Sequence, residues 1–467
     1  MDESDQQSRT RMNQTSFSMA QIAALKNQLS ASGCIIHEPG SREYARATHL
    51  WNGAVERKPA LVVACSATND VRTALLAAQA TGLPVSVLNG GQDWVGRALR
   101  NGGLVLDLAP MRHCSVNVEA VEATIGGGVT VADLNAAAGR QALTAVIGND
   151  GAVSMAGLLL GGGYGPLMTR FGLVSDSLIS AELVMADGAI AWCDATHNSD
   201  LFWAVKGGGG NFGVVTSMRI RLHRVGQLMS GSIAFPWGDA PAVLERFSGL
   251  MQSAPDELAG AVILAAGPGG NPLVVVSPTW SGDRERGRQI VSEIERFGTP
   301  IFSKIGPMAA ADLLALTDGK LASGRGYEVA TRWLPDLPSD VVSTLIAAYD
   351  DRTSPFSSII LHHFHGAAAR VAPGATAFGM RVPHFTALIY AAWEPADADT
   401  TDHRHWAQNL SSKLSSWALP GGYANLLDDD AREQIGSAYG PNAQRLLSLK
   451  GRFDPGNLFS AIPLPGR

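Results

Sequence analysis

The segment SDLFWAVKGGGGNFGVVTSMRIRLH, Ser199–His223, decides the fold. It carries the pattern G-x-G-x-x-G at Gly208, Gly210 and Gly213. A dinucleotide-binding Rossmann turn places that pattern between a strand and a following helix, with phosphate at the helix N-terminus. Here the order is reversed, because SDLFWAV reads as a short helix and VVTSMRIRL as a strand. The Rossmann reading fails on context, and the glycines need another purpose.

Two further glycine loops lie upstream. Asn89–Gly91 breaks the strand in VSVLNGGQDWVGRAL, and Gly148–Gly165 spans GNDGAVSMAGLLLGGGYG. Glycine lets main-chain N–H groups crowd around an anion. Three such loops, each at the end of a regular element, favour a phosphate-bearing cofactor over coincidence. Between them, LVVACSATNDVRTALLAAQATGLPVSVL reads as strand, helix, strand, with Thr68 or Asn69 capping the helix and Gly82 ending it. Thr130 with Asp133 forms a capping box, and Asp187-Gly188 turns a hairpin. Beyond Val225, amphipathic helices alternate with strands such as SSIILHHFHGAA and HFTALIYAAW. That texture predicts a second α+β unit with a largely antiparallel sheet.

Composition agrees with a chain that folds over most of its length. Of 467 residues, 46% are hydrophobic and 17% charged, and the 52 glycines are clustered rather than periodic. A net charge of −6 without a basic tract argues against nucleic acid as a partner. The four cysteines are scattered, so neither a disulfide framework nor a zinc site is expected. The polar N-terminus lacks a leader's apolar run, and no stretch reaches membrane-spanning length. The expectation is a soluble cytoplasmic protein, with no membrane partner and a disordered tail over residues 1–18.

The motifs RKPALVVAC, NGGQDWVGR, GNDGAVSMAGLLLGGGYGPLMTRFGL, NSDLFWAVKGGGGNFGVVTS and YGPNAQRLLSLKGRFDPGNLF together resemble a family. They are similar, in order and spacing, to the flavin-dependent oxidoreductases of the vanillyl-alcohol oxidase and para-cresol methylhydroxylase superfamily, in particular the berberine-bridge-enzyme-like group. The resemblance implies an α+β fold. A two-subdomain FAD-binding domain would occupy 19–225, and an α+β substrate domain with an antiparallel sheet 226–420. A C-terminal segment, 421–467, would return to the FAD domain. It implies FAD contacts from Asn89, Gly90, Gly91, Gln92 and Asp93, and from Gly148, Asn149, Asp150, Val153, Ala156, Gly157 and Gly162. Gly210, Asn211, Gly213, Val214, Val215 and Asn425 complete that set. Members usually carry a His bonded to the flavin 8α-methyl where this chain has Gln92, and many carry a flavin-linked Cys where it has Asp150. With both anchors replaced, the FAD is expected to be non-covalent. Val153 matches the position associated with oxygen access.

The resemblance also places Tyr164 and Tyr423 near the flavin and Trp94 near the substrate. From the residues alone, Tyr164 reads equally as a packed strand-end aromatic. Alternation sets His384, Thr386, Leu388 and Tyr390 on one strand face. Leu388 stands where some members have a Glu or Gln, so His384 or Tyr390 must replace a carboxylate base. His363 and His365 share a face with His362 opposite, and they are candidates for a general base; no third ligand supports a metal. Glu328 and Arg332 are candidate cleft residues. The expected activity is hydride transfer from an alcohol, phenolic or secondary-metabolite substrate to FAD, with O₂ or another electron acceptor, in a monomer or homodimer. The alternatives are a flavin dehydrogenase and a non-redox cyclase or isomerase on the same fold.

Overall fold

The computed structural model describes residues 18–317 and 319–466. All of the N-terminal tail except Ser18 therefore lies outside the described residues. Ser18 itself belongs to structure, because its hydroxyl accepts the Gln21 N–H and caps the helix Met19–Ala31.

Three sheets make up the chain. Strand β1 (Ile35–His37) pairs antiparallel with β2 (Leu61–Ala64), and β2 and β3 (Val85–Leu88) both run parallel to β4 (Leu104–Asp107). The helix Thr68–Thr81 connects β2 to β3 and ends at Gly82, whose φ of 74° suits a residue without Cβ. Its start corrects the expected cap. The helix begins at Thr68, and the Asp70 carboxylate accepts the N–H groups of Ser66 and Ala67 at 2.8 and 3.0 Å. Thr68 instead donates its hydroxyl to Glu182 at 2.7 Å.

The second sheet is antiparallel, in the order β5 (Cys114–Asn117), β6 (Glu122–Gly126), β9 (Val214–Arg221), β7 (Leu178–Val184), β8 (Ile190–Asp194). The strand after Gly207–Gly213 is thus its central member. Gly188, φ 78°, turns β7 into β8 as the Asp-Gly pair predicts.

The third sheet has seven antiparallel strands: β10 (Leu228–Pro236), β11 (Leu258–Ala266), β12 (Pro272–Trp280), β13 (Phe302–Met308), β14 (Gly326–Leu334), β15 (Ser358–Phe364) and β16 (His384–Trp393). Their order is β13-β10-β12-β11-β15-β16-β14. Helices Ala240–Gln252, Arg284–Glu295, Ser339–Asp350 and Thr401–Leu414 bury one face in a core that includes Phe247, Ile290, Leu345 and Leu410. The other face looks toward the glycine loops. The last helix, Ala443–Phe453, leaves this sheet and packs Leu446 and Leu449 with Trp203 and Phe212. The architecture is α+β. No helix among the described residues is long and apolar enough to cross a membrane.

Candidate active site

A cavity of about 540 Å³ lies between the free face of the seven-stranded sheet and the three glycine loops. At one end, β3 stops and the chain turns through Asn89, Gly90 and Gly91, the last at φ 66°. A Cβ on Gly90 would stand 2.6 Å from the Ala152 carbonyl oxygen and 2.8 Å from the Ser154 nitrogen. The first two loops therefore meet backbone to backbone, which only glycine permits. Among the described residues, the main-chain N–H groups of Gly90, Gly91, Gln92 and Asp93 have no acceptor. The buried Asn89 Oδ1 likewise has no donor, while its Nδ2 donates to the Gly127 carbonyl. Consecutive unpaired amides form a nest for an anion. A pyrophosphate fits this end.

The side chains around the nest shape it. The Asp93 carboxylate accepts the Arg97 N–H at 2.6 Å and its guanidinium at 2.9 Å. Asp150 accepts the Ala152 N–H at 2.8 Å and so turns the second loop. The Gln92 amide reaches only the Gly90 carbonyl, at 3.5 Å. Gly148, Asn149, Asp150, Val153, Ala156, Gly157, Gly210, Gly213, Val214 and Val215 all border the cavity.

Two expected cofactor contacts are corrected. Gly162 packs on Phe378, where a Cβ would come within 2.7 Å of the ring, and it does not border the cavity. Asn211 is buried behind the wall and pins the C-terminal segment: its Oδ1 accepts the Ala461 N–H at 2.7 Å, and its Nδ2 donates to the Ile462 carbonyl at 3.0 Å. Ser460, Ala461 and Ile462 thereby become cavity wall, a contribution the sequence reading missed.

At the other end stands a group of hydroxyls. Tyr164 and Tyr423 lie edge to face with centroids 4.8 Å apart, and Tyr390 and Asn425 also line the space. Tyr423 Oη accepts from the Gly163 N–H (3.3 Å) and the Asn425 amide (3.1 Å). Burial pushes the Tyr423 phenol up to about 12, and raises those of Tyr164 and Tyr390 as well. All three are donors at neutral pH rather than bases. His384 does not line the cavity; it sits behind Tyr164, with Nε2 at 3.4 Å from the phenol oxygen and 3.1 Å from Thr386 Oγ1. Its Nδ1 lies 2.7 Å from the Val382 carbonyl, so that nitrogen carries the proton and Nε2 accepts. It supports Tyr164 rather than touching a ligand. Trp94 borders the cavity and donates its indole N–H to the Leu426 carbonyl at 3.0 Å.

The sheet floor corrects the other histidine and carboxylate expectations. On β14, Val329 reaches the cavity, so alternation turns Glu328 and Arg332 to the helix side. There Glu328 pairs with Arg404 (2.8 Å) and Gln408 (2.9 Å), and Arg332 with Ser411 (3.1 Å) and Glu433 (3.0 Å). On β15, Ile360 and His362 face the cavity, while Ile359 and Leu361 join the helix-side core. His363 touches the wall but packs against Phe385 at 4.5 Å, and its Nδ1 lies 2.9 Å from Nδ1 of His365. His365 lies outside the cavity. Of the two imidazoles that border the cavity, His362 is the one that alternation along β15 turns into it.

Comparison with known proteins gives this geometry a context. A family model described as an FAD binding domain matches residues 59–194, and one described as berberine and berberine like matches 422–462. The chain is 28% identical over 430 residues to an FAD-linked oxidoreductase of Dictyostelium discoideum, covering 91% of this chain and 93% of that one. It is 28% identical over 456 residues to (R)-6-hydroxynicotine oxidase of Paenarthrobacter nicotinovorans, covering 93% and 97%. The fold is shared with the solved structure of the wild-type BBE-like 1 protein of Physcomitrella patens, at a TM-score of 0.86 and 23% identity, covering 95% of this chain and 100% of that one.

Proposed function

We propose that this chain, an FAD-dependent oxidoreductase by its matches to the FAD binding domain and berberine-like family models and to FAD-linked relatives, works as a member of the berberine-bridge-enzyme-like group and oxidises an alcohol, phenolic or secondary metabolite with non-covalently bound FAD. The observation that carries the reading is the run of unpaired amides from Gly90 to Asp93, at one end of a cavity whose other end holds three tyrosines. When bound, FAD supplies the hydride acceptor, and O₂ is the proposed terminal acceptor.

Residues 19–225 and 421–467 would hold the cofactor, and 226–420 would cover the substrate. The nest binds the pyrophosphate, while Asn211 holds the C-terminal segment over the third loop. Tyr423, already accepting two N–H groups, keeps its own proton to donate toward a substrate oxygen. Tyr164 is oriented by the neutral His384. The sheet floor excludes water from above.

The test is the visible spectrum of the purified protein, followed by acid precipitation. Flavin bands that move wholly to the supernatant are expected. Colour kept in the pellet overturns the non-covalent proposal. A colourless protein that FAD cannot reconstitute overturns the function. Turnover of a screened alcohol without peroxide would replace O₂ by another acceptor.

A further inference from the structure

We propose that His362 is the catalytic proton acceptor, and that the substrate it selects is a planar, largely apolar molecule presenting one hydroxyl to the sheet floor. The inference rests on the oxidoreductase reading above and adds to it a residue and a substrate class.

The floor is where the argument starts. Its polar groups come from six side chains: the hydroxyls of Ser277, Thr279, Thr386 and Tyr390, and the imidazoles of His362 and His363. None of these floor groups is a carboxylate, an amide or a permanent cation; Asp150, Asn149, Asn425 and Lys320 border the cavity away from the sheet. A sugar buries many hydroxyls and leaves each unmatched one without a partner, which such a floor cannot answer. A flat apolar ring loses nothing there, and one hydroxyl finds a partner.

The position of His362 supplies that partner. It stands opposite Ala261 on β11 and Thr386 on β16, so small neighbours on both sides leave its ring clear. Its diagonal neighbour on the same face is Leu388, and Tyr390 lies one step further. Every other imidazole at this end has a nitrogen engaged: His363 and His365 with each other, His384 with Val382 and Thr386. Among the described residues, neither ring nitrogen of His362 has a hydrogen-bond partner. Burial alone lowers its pKa to about 4, and no charged group acts on it. The ring is therefore neutral in ordinary buffer and offers a lone pair.

In the step, the substrate O–H bond breaks and its proton passes to His362. The C–H bond on the carbon that bears this oxygen breaks with its electron pair, which FAD, when bound, would accept as hydride, and a carbonyl forms. His362 later returns the proton to solvent. Tyr390 and Tyr423 stay protonated and serve as donors.

Binding separates this inference from the function reading, because it can be measured by calorimetry with and without FAD. The probes are 2-naphthol, which stays protonated at neutral pH, its methyl ether 2-methoxynaphthalene, and cellobiose. The wild type should prefer the phenol over the ether by about tenfold, the worth of one buried hydrogen bond. His362→Phe should erase that preference and leave ether binding within about twofold, while His363→Phe keeps the preference. A preference that survives in His362→Phe overturns the role of His362. Tighter binding of cellobiose than of either aromatic overturns the substrate class. FAD retention, read from the visible spectrum of each variant, reports on the function reading separately. Should the phenylalanine variant fail to fold, His362→Gln, which keeps an acceptor but is not a base, should retain phenol binding. With an oxidised aromatic alcohol it should lower kcat at least about a hundredfold with KM little changed. An unchanged kcat overturns proton transfer.

Discussion

The Gln92 amide, 3.5 Å from the Gly90 carbonyl, is at the limit of a hydrogen bond and has room to be replaced. The resemblance to berberine-bridge-enzyme-like proteins implies a flavin-linked His where this chain has Gln92, and on that alignment Gln92→His should create a covalent flavin. After acid precipitation the yellow colour should stay with the pellet; a variant that binds FAD yet releases all of it would displace the alignment at residue 92. Gly90→Ala tests the loop beneath. Its Cβ would collide with two backbone atoms, at 2.6 and 2.8 Å, and backbone cannot swing aside as a side chain can. The expected outcome, read by fluorescence titration, is FAD affinity weaker by about tenfold or more while circular dichroism stays native. At this scale the glycine loops were legible as candidates only through their number, because a single Gly pair at a strand end is most often just a turn. The floor histidine was not. Alternation correctly separated His362 from His363 and His365, but both faces of β15 are covered, one by helices and one by the cavity. Periodicity cannot say which face is which.

At the scale of elements, the helix Ala443–Phe453 and the segment behind it show what the sequence hid. Asp454-Pro455-Gly456 reads as a helix stop, and it is one. The chain beyond that stop is held by contacts with residues far away in sequence. Lys450, about 1% exposed, donates to Asp454 and to the main-chain carbonyls of Asn211 and Phe459. Asp454, fully buried, also accepts the N–H groups of Leu458 and Phe459 at 2.9 Å. This clamp delivers Ser460–Ile462 to the cavity wall, and nothing local in the sequence announces a partner more than two hundred residues away. Lys450→Met leaves Asp454 buried without its counter-charge, held only by the two main-chain N–H groups, a loss of about 3–5 kcal/mol. Its melting temperature should fall by several degrees and its FAD affinity with it. Arg452→Ala removes a surface pair with Asp200, 65% and 41% exposed, and should shift stability by less than about 1 kcal/mol. Equal effects of the two substitutions would remove the clamp from the argument.

At the scale of the whole molecule, the three sheets enclose imidazoles that the fold keeps neutral. Texture announced the second α+β unit, and the resemblance to a known family implied the rest of the α+β architecture. The enclosure did not, because it arises from packing one sheet face over three separated loops. Burial lowers His223, His362 and His384 to about 4 each and His363 to about 3, the last helped by neighbouring His365 and His384. In the unfolded chain each titrates near about 6.5. Above that pH neither state binds the proton and the groups do not affect stability. As pH falls from about 6.5 toward 4, the unfolded chain takes up protons that the native state refuses, so stability drops through that window. Each group contributes on the order of a few kcal/mol at most. Glu328 and Asp107, raised by burial, act in the opposite direction near the lower end and offset part of it. The melting temperature should therefore decline steadily from pH 7 to pH 4, well before the paired carboxylates begin to protonate. His384→Gln, which removes one of these proton sites, should flatten the decline. A melting temperature that holds constant or rises over that interval would mean that the imidazoles reach water in the native state, and the enclosed cavity would have to be redrawn.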